Sequence, residues 1–291
     1  MTRLHKAIIP AAGFGTRFLP ETKAMPKEML LIVDKITIQY IVEEILASGI
    51  ERILIISGHA KRAIENHFNP SPELESYLFE HGKLELLQQI RQIFSVNIHY
   101  TRQPHRRRLG DAILCAKEFV DGESFGVILG DDVVYTGTKE PALKQLMDQY
   151  DKTGGTVIGC QVVAPEKVSA YGIIDGKPTG DENLLRVKDM VVEKPKLSEA
   201  PSQFAALGRY VITPEVFDIL EETRPGKGGE IQLTDALRVM AHMGHVYAYN
   251  FQGKRYDTGD KLGYLKAVVE FSLRRDDLGP GFREYLREFL K

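Results

Sequence analysis

Directly after the apolar run Ala7 to Ile9, the chain carries Gly13, Gly15, Arg17, Lys23 and Lys27 within one short stretch. Glycines have no Cβ, so backbone N–H groups there can close on a phosphate and take up the positive φ that such a nest needs. Arg17 adds a planar, permanently charged fork, and the lysines add point charges. A loop of this content at the end of a first strand suits a polyphosphate. The same residues also make a glycine-rich turn with solvated basic side chains. Farther along, Gly130-Asp131-Asp132 follows the apolar run Phe125 to Leu129 and puts two carboxylates at another strand end.

Two familiar phosphate loops compete with this reading. The pattern GxxxxGK[ST] is absent from the chain. The dinucleotide fingerprint GxGxxG is met at Gly13 and Gly15, but Phe18 stands at its third glycine, while Asp34 lies at the distance of a ribose-binding acid. A dinucleotide fold, and with it a nicotinamide-dependent dehydrogenase, requires a helix at once. Pro20 and Pro26 interrupt any helix between Thr16 and Leu30. The loop is therefore expected to wrap over its ligand.

The elements that must position these groups alternate in type. Ile38, Ile41, Val42, Ile45 and Leu46 recur at helical spacing, and the β-branched run Ile53 to Ile56 follows as a strand. A short helix is expected over Lys61 to Phe68, then a polar helical insertion over Pro70 to Phe94. A strand over Asn97 to Tyr100 leads into the basic loop Gln103 to Leu109, a helix from Gly110 to Phe119, and the strand that delivers Asp131. Strand–helix alternation of this kind builds a parallel sheet with ligands at the carboxyl ends of its strands. After the helix Pro141 to Lys152 the texture changes to several strands: Val157 to Val162, Tyr171 to Ile174, Val187 to Glu193 and Phe204 to Val211. A turn at Asp175-Gly176-Lys177-Pro178 lies among them. Helices are expected over Pro214 to Glu222, Glu230 to His242, Lys261 to Leu273 and Gly281 to Leu290.

The 291 residues are 43% hydrophobic and 27% charged, ordinary values for a globular protein with a sizeable core. A net charge of −2 gives no global attraction to nucleic acid or to an anionic membrane, so neither is expected as a partner. Cys115 and Cys160 form no framework, and the N-terminus lacks a long apolar core, which together suggest the cytoplasm.

The run AAGFGTRFLPETKAMPKEMLLIVDK resembles the signature GxGTRxxPxTxxxPKxMLPxxxKP of the sugar-nucleotide pyrophosphorylases, most nearly the bacterial branch that couples UTP to glucose 1-phosphate. The likeness continues in order through GDDVV, AYGIID, VVEKP, LGRYVITPE, GGEIQLTDAL and GKRYDTGDKLGY, and so covers nearly the whole chain. It implies an α/β, Rossmann-like fold: a mixed, mainly parallel sheet flanked by helices, as in nucleotidylyltransferases and glycosyltransferase-A-like domains. It implies one domain over 1–291, with a nucleotide-binding half over about 1–150, a sugar-binding half over about 151–260 and C-terminal helices over about 261–291. The implied reaction is UTP plus glucose 1-phosphate giving UDP-glucose plus pyrophosphate, assisted by Mg2+, in a homodimer or homotetramer.

The resemblance also implies roles for single residues. Arg17 and Lys27 would hold the triphosphate, with Ala11, Ala12, Gly13, Gly15 and Glu28 around the nucleotide. Gln103 and the Gly110 backbone would read the base, and Asp132 would touch the ribose or shape the strand end. Gly172, Glu193, Lys194 and Gly208 would take the glucose 1-phosphate, Lys194 acting on its phosphate. Asp131 and Asp257 would hold the metal, although Asp257 alone also reads as a turn aspartate before Thr-Gly, and Glu193-Lys194 as a charged pair at a strand end. In one loop this chain departs from the family pattern. Arg108-Leu109-Gly110-Asp111-Ala112 stands where Gly-Leu-Gly-His-Ala is usual, and Leu31 and Ile36 replace prolines. Arg106, Arg107 and Arg108 are placed to offset the charge of Asp111. The altered loop leaves open a binding-only paralogue that senses UDP-sugars, or a preference for another nucleotide or sugar phosphate.

Overall fold

The computed structural model describes residues 4–58, 61–94, 96–105, 107–190, 195–224 and 229–291. Its first half contributes strands β1 (Lys6–Ala11), β2 (Leu31–Ile32), β3 (Lys35–Ile36), β4 (Arg52–Ser57), β5 (Asn97–Arg102), β6 (Phe125–Ile128) and β7 (Asp132–Tyr135). Then come β8 (Thr156–Val162), β9 (Ile174–Pro178), β10 (Leu184–Met190), β11 (Phe204–Ile212), β12 (Val246–Asn250) and β13 (Lys254–Asp257).

Nine of these strands form one sheet in the order β5-β4-β1-β6-β11-β8-β12-β10-β9. The first four pair in parallel, as do β8 and β12, while β11 and β10 run against their neighbours. Seven of the nine strands thus share one direction, the mixed and mainly parallel sheet expected from the sequence. Period-two alternation divides the core between the sheet's faces. Ala7, Ile9, Ile53 and Ile55 join one cluster; Ile8, Leu54, Ile56 and Val127 join the other. The helices Thr37–Ala47 and Ala142–Thr153 close the first with Ile38, Ile41, Ile45, Leu143 and Leu146. The helices Val216–Glu222 and Leu233–His242 close the second with Phe217, Leu220, Leu237 and Met240. In each helix the apolar residues recur at three- and four-residue steps, so one stripe faces the sheet.

The region around Gly15 folds as three short 3-10 turns, Thr16–Phe18, Glu21–Lys23 and Lys27–Met29, and not as a crossover helix. The insertion is a pair of helices, Pro72–Glu80 and Leu84–Phe94. Three details differ from the sequence reading. The segment Asp175 to Pro178 is not a turn but part of β9, an edge strand, where proline is tolerated because one side of the strand needs no donor. The single helix expected over Gly110 to Phe119 is two, Arg108–Leu114 and Lys117–Val120, with the buried Ala116 at the corner between them. The strand expected to reach Glu193 is described as far as Met190. Finally, β7 and β13 form a separate antiparallel ribbon in which Asp132 lies opposite Asp257.

Candidate active site

Because β1 and β6 are neighbours and parallel, the glycine loop after β1 and Gly130-Asp131 after β6 open at the same edge of the sheet. A cleft of about 690 Å³ lies there. Its wall brings together Ala12, Gly13, Gly15, Arg17, Lys27, Gln103, Asp131, Gly172 and Gly208, nine of the residues singled out in the sequence. Gly15 has φ +69°, and a Cβ there would meet Thr22 and Lys27 at 3.1–3.2 Å, so both conformation and space call for glycine. Arg17 reaches across the cleft to the Gly259 carbonyl at 3.4 Å. Lys23 is exposed and off the wall.

The carboxylates sit opposite. Lys27 Nζ donates to Asp131 Oδ2. Burial alone would push the Asp131 carboxyl up, but the charge and hydrogen bond of Lys27, with Arg255 behind it, hold it below the usual range. Lys27 is raised in turn: burial disfavours its charge, and Asp131 and Glu28 more than offset this. Asp257 accepts from the Gly259 N–H at 3.0 Å. Its carboxyl is raised by burial; Arg255 opposes the shift, while the charges of Asp131 and Asp132 add to it. Both acids converge on Gly259, where a Cβ would collide with Asp131 Oδ2 and stand 3.2 Å from Asp257 Oδ1. The Thr258 N–H and hydroxyl both donate to the Asp131 carbonyl, at 2.9 and 2.8 Å, which fixes the two segments together.

Other expected residues lie behind the wall. Ala11 is the buried last residue of β1. Glu28 is fully buried and paired with Lys61 at 2.8 Å, while its Oε1 has no partner among the described residues. Asp132 is 2% exposed and accepts from Arg209 at 2.9 Å and Arg255 at 2.6 Å, so its carboxylate is enclosed by protein. Gly110 turns its N–H to the Ile231 carbonyl at 3.0 Å and away from the cleft. Glu193 and Lys194 lie outside the described residues, as does Arg106. A Cβ on Gly110 would lie 2.8 Å from the Ile231 oxygen and 2.9 Å from Leu220 Cδ2. Gly110→Ala is therefore expected to cost roughly 1–3 kcal/mol through overpacking against backbone. Thermal denaturation would show a lowered midpoint; an unchanged one would mean that this loop has slack.

The sequence did not single out Arg255, which lines the cleft and binds three segments at once. Its Nε donates to Asp132 at 2.6 Å, its Nη1 to the Tyr171 hydroxyl at 3.0 Å, and its Nη2 lies 3.6 Å from Asp257. Its only signal is its place two residues before Asp257. Arg209 was also missed, and so was the contact of Gln103 Nε2 with Asp111 Oδ2 at 2.6 Å. Of the basic run, Arg108 pairs with Glu230 at 2.6 Å and Arg107 stands 3.8 Å from Asp111.

A cationic, glycine-lined loop facing two carboxylates suits a phosphate ester bound with a hard cation. The family model described as nucleotidyl transferase matches residues 6–272. A UTP–glucose-1-phosphate uridylyltransferase of Bacillus subtilis is 53% identical over 285 residues, 96% of each chain. One of Staphylococcus epidermidis is 50% identical over 99% of each chain. Among solved structures, a UTP-bound enzyme of the same type from Acinetobacter baumannii superposes with a TM-score of 0.91 at 38% identity, covering 98% of this chain and 99% of that one.

Proposed function

The chain belongs to the nucleotidyl transferase family, and on that premise we infer that it transfers the uridylyl group of UTP to glucose 1-phosphate, giving UDP-glucose and pyrophosphate. The observation that carries this reading is the meeting, across one cleft, of the Arg17–Lys27 loop with Asp131 and Asp257. A phosphate oxygen of glucose 1-phosphate attacks the α-phosphorus of UTP and forms a new P–O bond. The bond from that phosphorus to the bridging oxygen breaks, and its electron pair leaves with pyrophosphate. The attacking oxygen is already ionised at neutral pH, so no general base is needed. The work is to align two anions and neutralise the charge that builds on the leaving group.

Roles follow from chemistry. Arg17, Lys27 and the amides of Gly13 and Gly15 hold the triphosphate, Ala11, Ala12 and Glu28 shape the loop beneath the nucleotide, and Gln103 meets the base. Asp132 and Gly110 support this half from behind the wall. Gly172 and Gly208 leave room for the hexose, and Glu193 and Lys194 take its hydroxyls and phosphate. Asp131 and Asp257 fit a divalent cation: they are two hard oxygen donors converging on a space that a single Cβ would fill. We propose Mg2+, which supplies positive charge against the phosphate oxygens when bound. Residues of about 1–150 serve the nucleotide, those of about 151–260 the sugar, and the C-terminal helices follow, as an organisation of one domain.

Among the described residues, no helix is long and apolar enough to cross a membrane. We place the protein in the cytoplasm on the strength of its free Cys115 and Cys160. Its terminal helix Gly279–Phe289 exposes Tyr285 and Phe289, which supports a homodimer or homotetramer. The test of function is direct. With UTP, glucose 1-phosphate and Mg2+, pyrophosphate and UDP-glucose should form in equal amounts, and faster than with other sugar 1-phosphates. Tight UTP binding without pyrophosphate release would reject catalysis.

A further inference from the structure

Gln103 stands on the cleft wall, 7% exposed, just beyond the end of β5. A glutamine amide carries two N–H donors and one carbonyl acceptor, and either end can meet a ligand. Here the two donors are occupied. Nε2 donates to Asp111 Oδ2 at 2.6 Å and to the Arg108 carbonyl at 3.2 Å. Turning the amide over would set its oxygen against a carboxylate and a carbonyl, so the network fixes the assignment. Among the described residues nothing donates to Gln103 Oε1, and that oxygen is not a buried unsatisfied atom, so it opens to the cleft. Both partners of Nε2 come from the loop that departs from the family pattern. Arg108 sits at φ +78°, a backbone conformation that glycine takes freely, and its carbonyl is thereby aimed at Gln103.

We propose that Asp111 is a positioning residue which holds Gln103 as an acceptor only, and that this selects pyrimidines with N–H at ring position 3 over cytosine. Uracil and thymine present that N–H, which Oε1 can accept. Cytosine presents a bare ring nitrogen, so two acceptors face each other and a buried hydrogen bond is lost. A neutral side chain at position 111 frees Nε2, lets the amide turn, and allows the glutamine to donate to cytosine. Arg107, 3.8 Å from Asp111, shares the carboxylate's charge without competing for the oxygen that Gln103 uses. The inference rests on the reading of this cleft as a UTP site, and it makes no distinction between UTP and dTTP.

The experiment is calorimetric titration of the full chain with UTP and with CTP in the presence of Mg2+, for the parent, Asp111→Ala, Asp111→Asn and Gln103→Ala. The parent should bind UTP at least tenfold or so more tightly than CTP, the effect of one mismatched buried hydrogen bond. Asp111→Ala should narrow the ratio to about threefold or less, with UTP weakened and CTP not weakened. Asp111→Asn keeps an oxygen for Nε2 and should retain the parent ratio. In the Gln103→Ala background, adding Asp111→Ala should leave the ratio where it was. If Asp111→Ala keeps the parent ratio, or weakens both nucleotides equally, the positioning role is overturned; so it is if the parent does not prefer UTP. Pyrophosphate release is measured separately. A parent with the UTP preference but no turnover on glucose 1-phosphate would reject the proposed reaction and leave the role of Asp111 standing.

Discussion

Asp131→Asn is expected to lower turnover by a hundredfold or more while leaving the affinity for glucose 1-phosphate nearly unchanged. The substitution keeps the shape of the side chain but removes the charge that Lys27 and Arg255 now balance. Removing an electrostatic element that acts on charge developing in the transition state costs on the order of 3 kcal/mol, roughly a hundredfold in rate. The effect belongs in kcat, because the charge in question builds on the departing pyrophosphate. Steady-state pyrophosphate release at saturating Mg2+ and both substrates reads it. Turnover within about threefold of the parent would remove Asp131 from the metal site, since one lost charge there cannot be so cheap.

The largest effect on stability should come from Arg209→Met. The Arg209 side chain is 0% exposed and satisfies two acids on different elements. Its Nε donates to Glu44 at 2.7 Å and its Nη1 to Asp132 at 2.9 Å, while its Nη2 reaches both Glu44 and the Asp132 carbonyl. Burial disfavours the guanidinium charge, but Glu44 and Asp132 together raise its pKa above the ordinary value. Methionine would fill similar volume yet leave Glu44 with little beyond the Leu143 N–H at 3.0 Å. Breaking one side of a buried ion cluster costs about 3–5 kcal/mol, because the stranded charge stays desolvated. For a chain of this size that is a fall of roughly 10 °C in melting temperature. Adding Glu44→Leu should recover part of it, since a matched apolar pair is far less costly than an orphaned charge. If the double variant were no more stable than Arg209→Met, the loss would lie in packing and not in charge.

What the sequence made legible was local. Ile53 to Ile56 reads as a buried strand because four β-branched or aliphatic residues in a row fit nothing else so short. The glycine loop reads as a phosphate site because Pro20 and Pro26 remove the helical alternative within the same stretch. What stayed hidden was pairing across distance. Arg209 looks like one charge inside a strand; its partners Glu44 and Asp132 lie 165 and 77 residues away. Asp132 looked equivalent to Asp131, yet one faces the cleft and the other is enclosed, a difference set by where β7 begins and by its pairing with β13. The edge strand β9 was hidden because Asp-Gly-Lys-Pro has turn composition, and only the place of a strand in its sheet decides whether proline is tolerated there.

The β7–β13 ribbon has a consequence for how the enzyme comes into being. Asp257 is set beside Asp131 by register with Asp132, and the two strands are joined by about 120 residues that include several strands of the main sheet. Such a contact has a very long loop to close, so it belongs among the late events of folding. At a synthesis rate of about 5–20 residues per second, the second acid emerges some 6–25 s after the first. During that interval the nascent chain already carries the glycine loop, Lys27 and Asp131, but only half of the carboxylate pair. Catalytic competence therefore arrives with the last quarter of the chain, and a ribosome stalled before Lys254 would display a nucleotide-binding loop without the second acid that completes it.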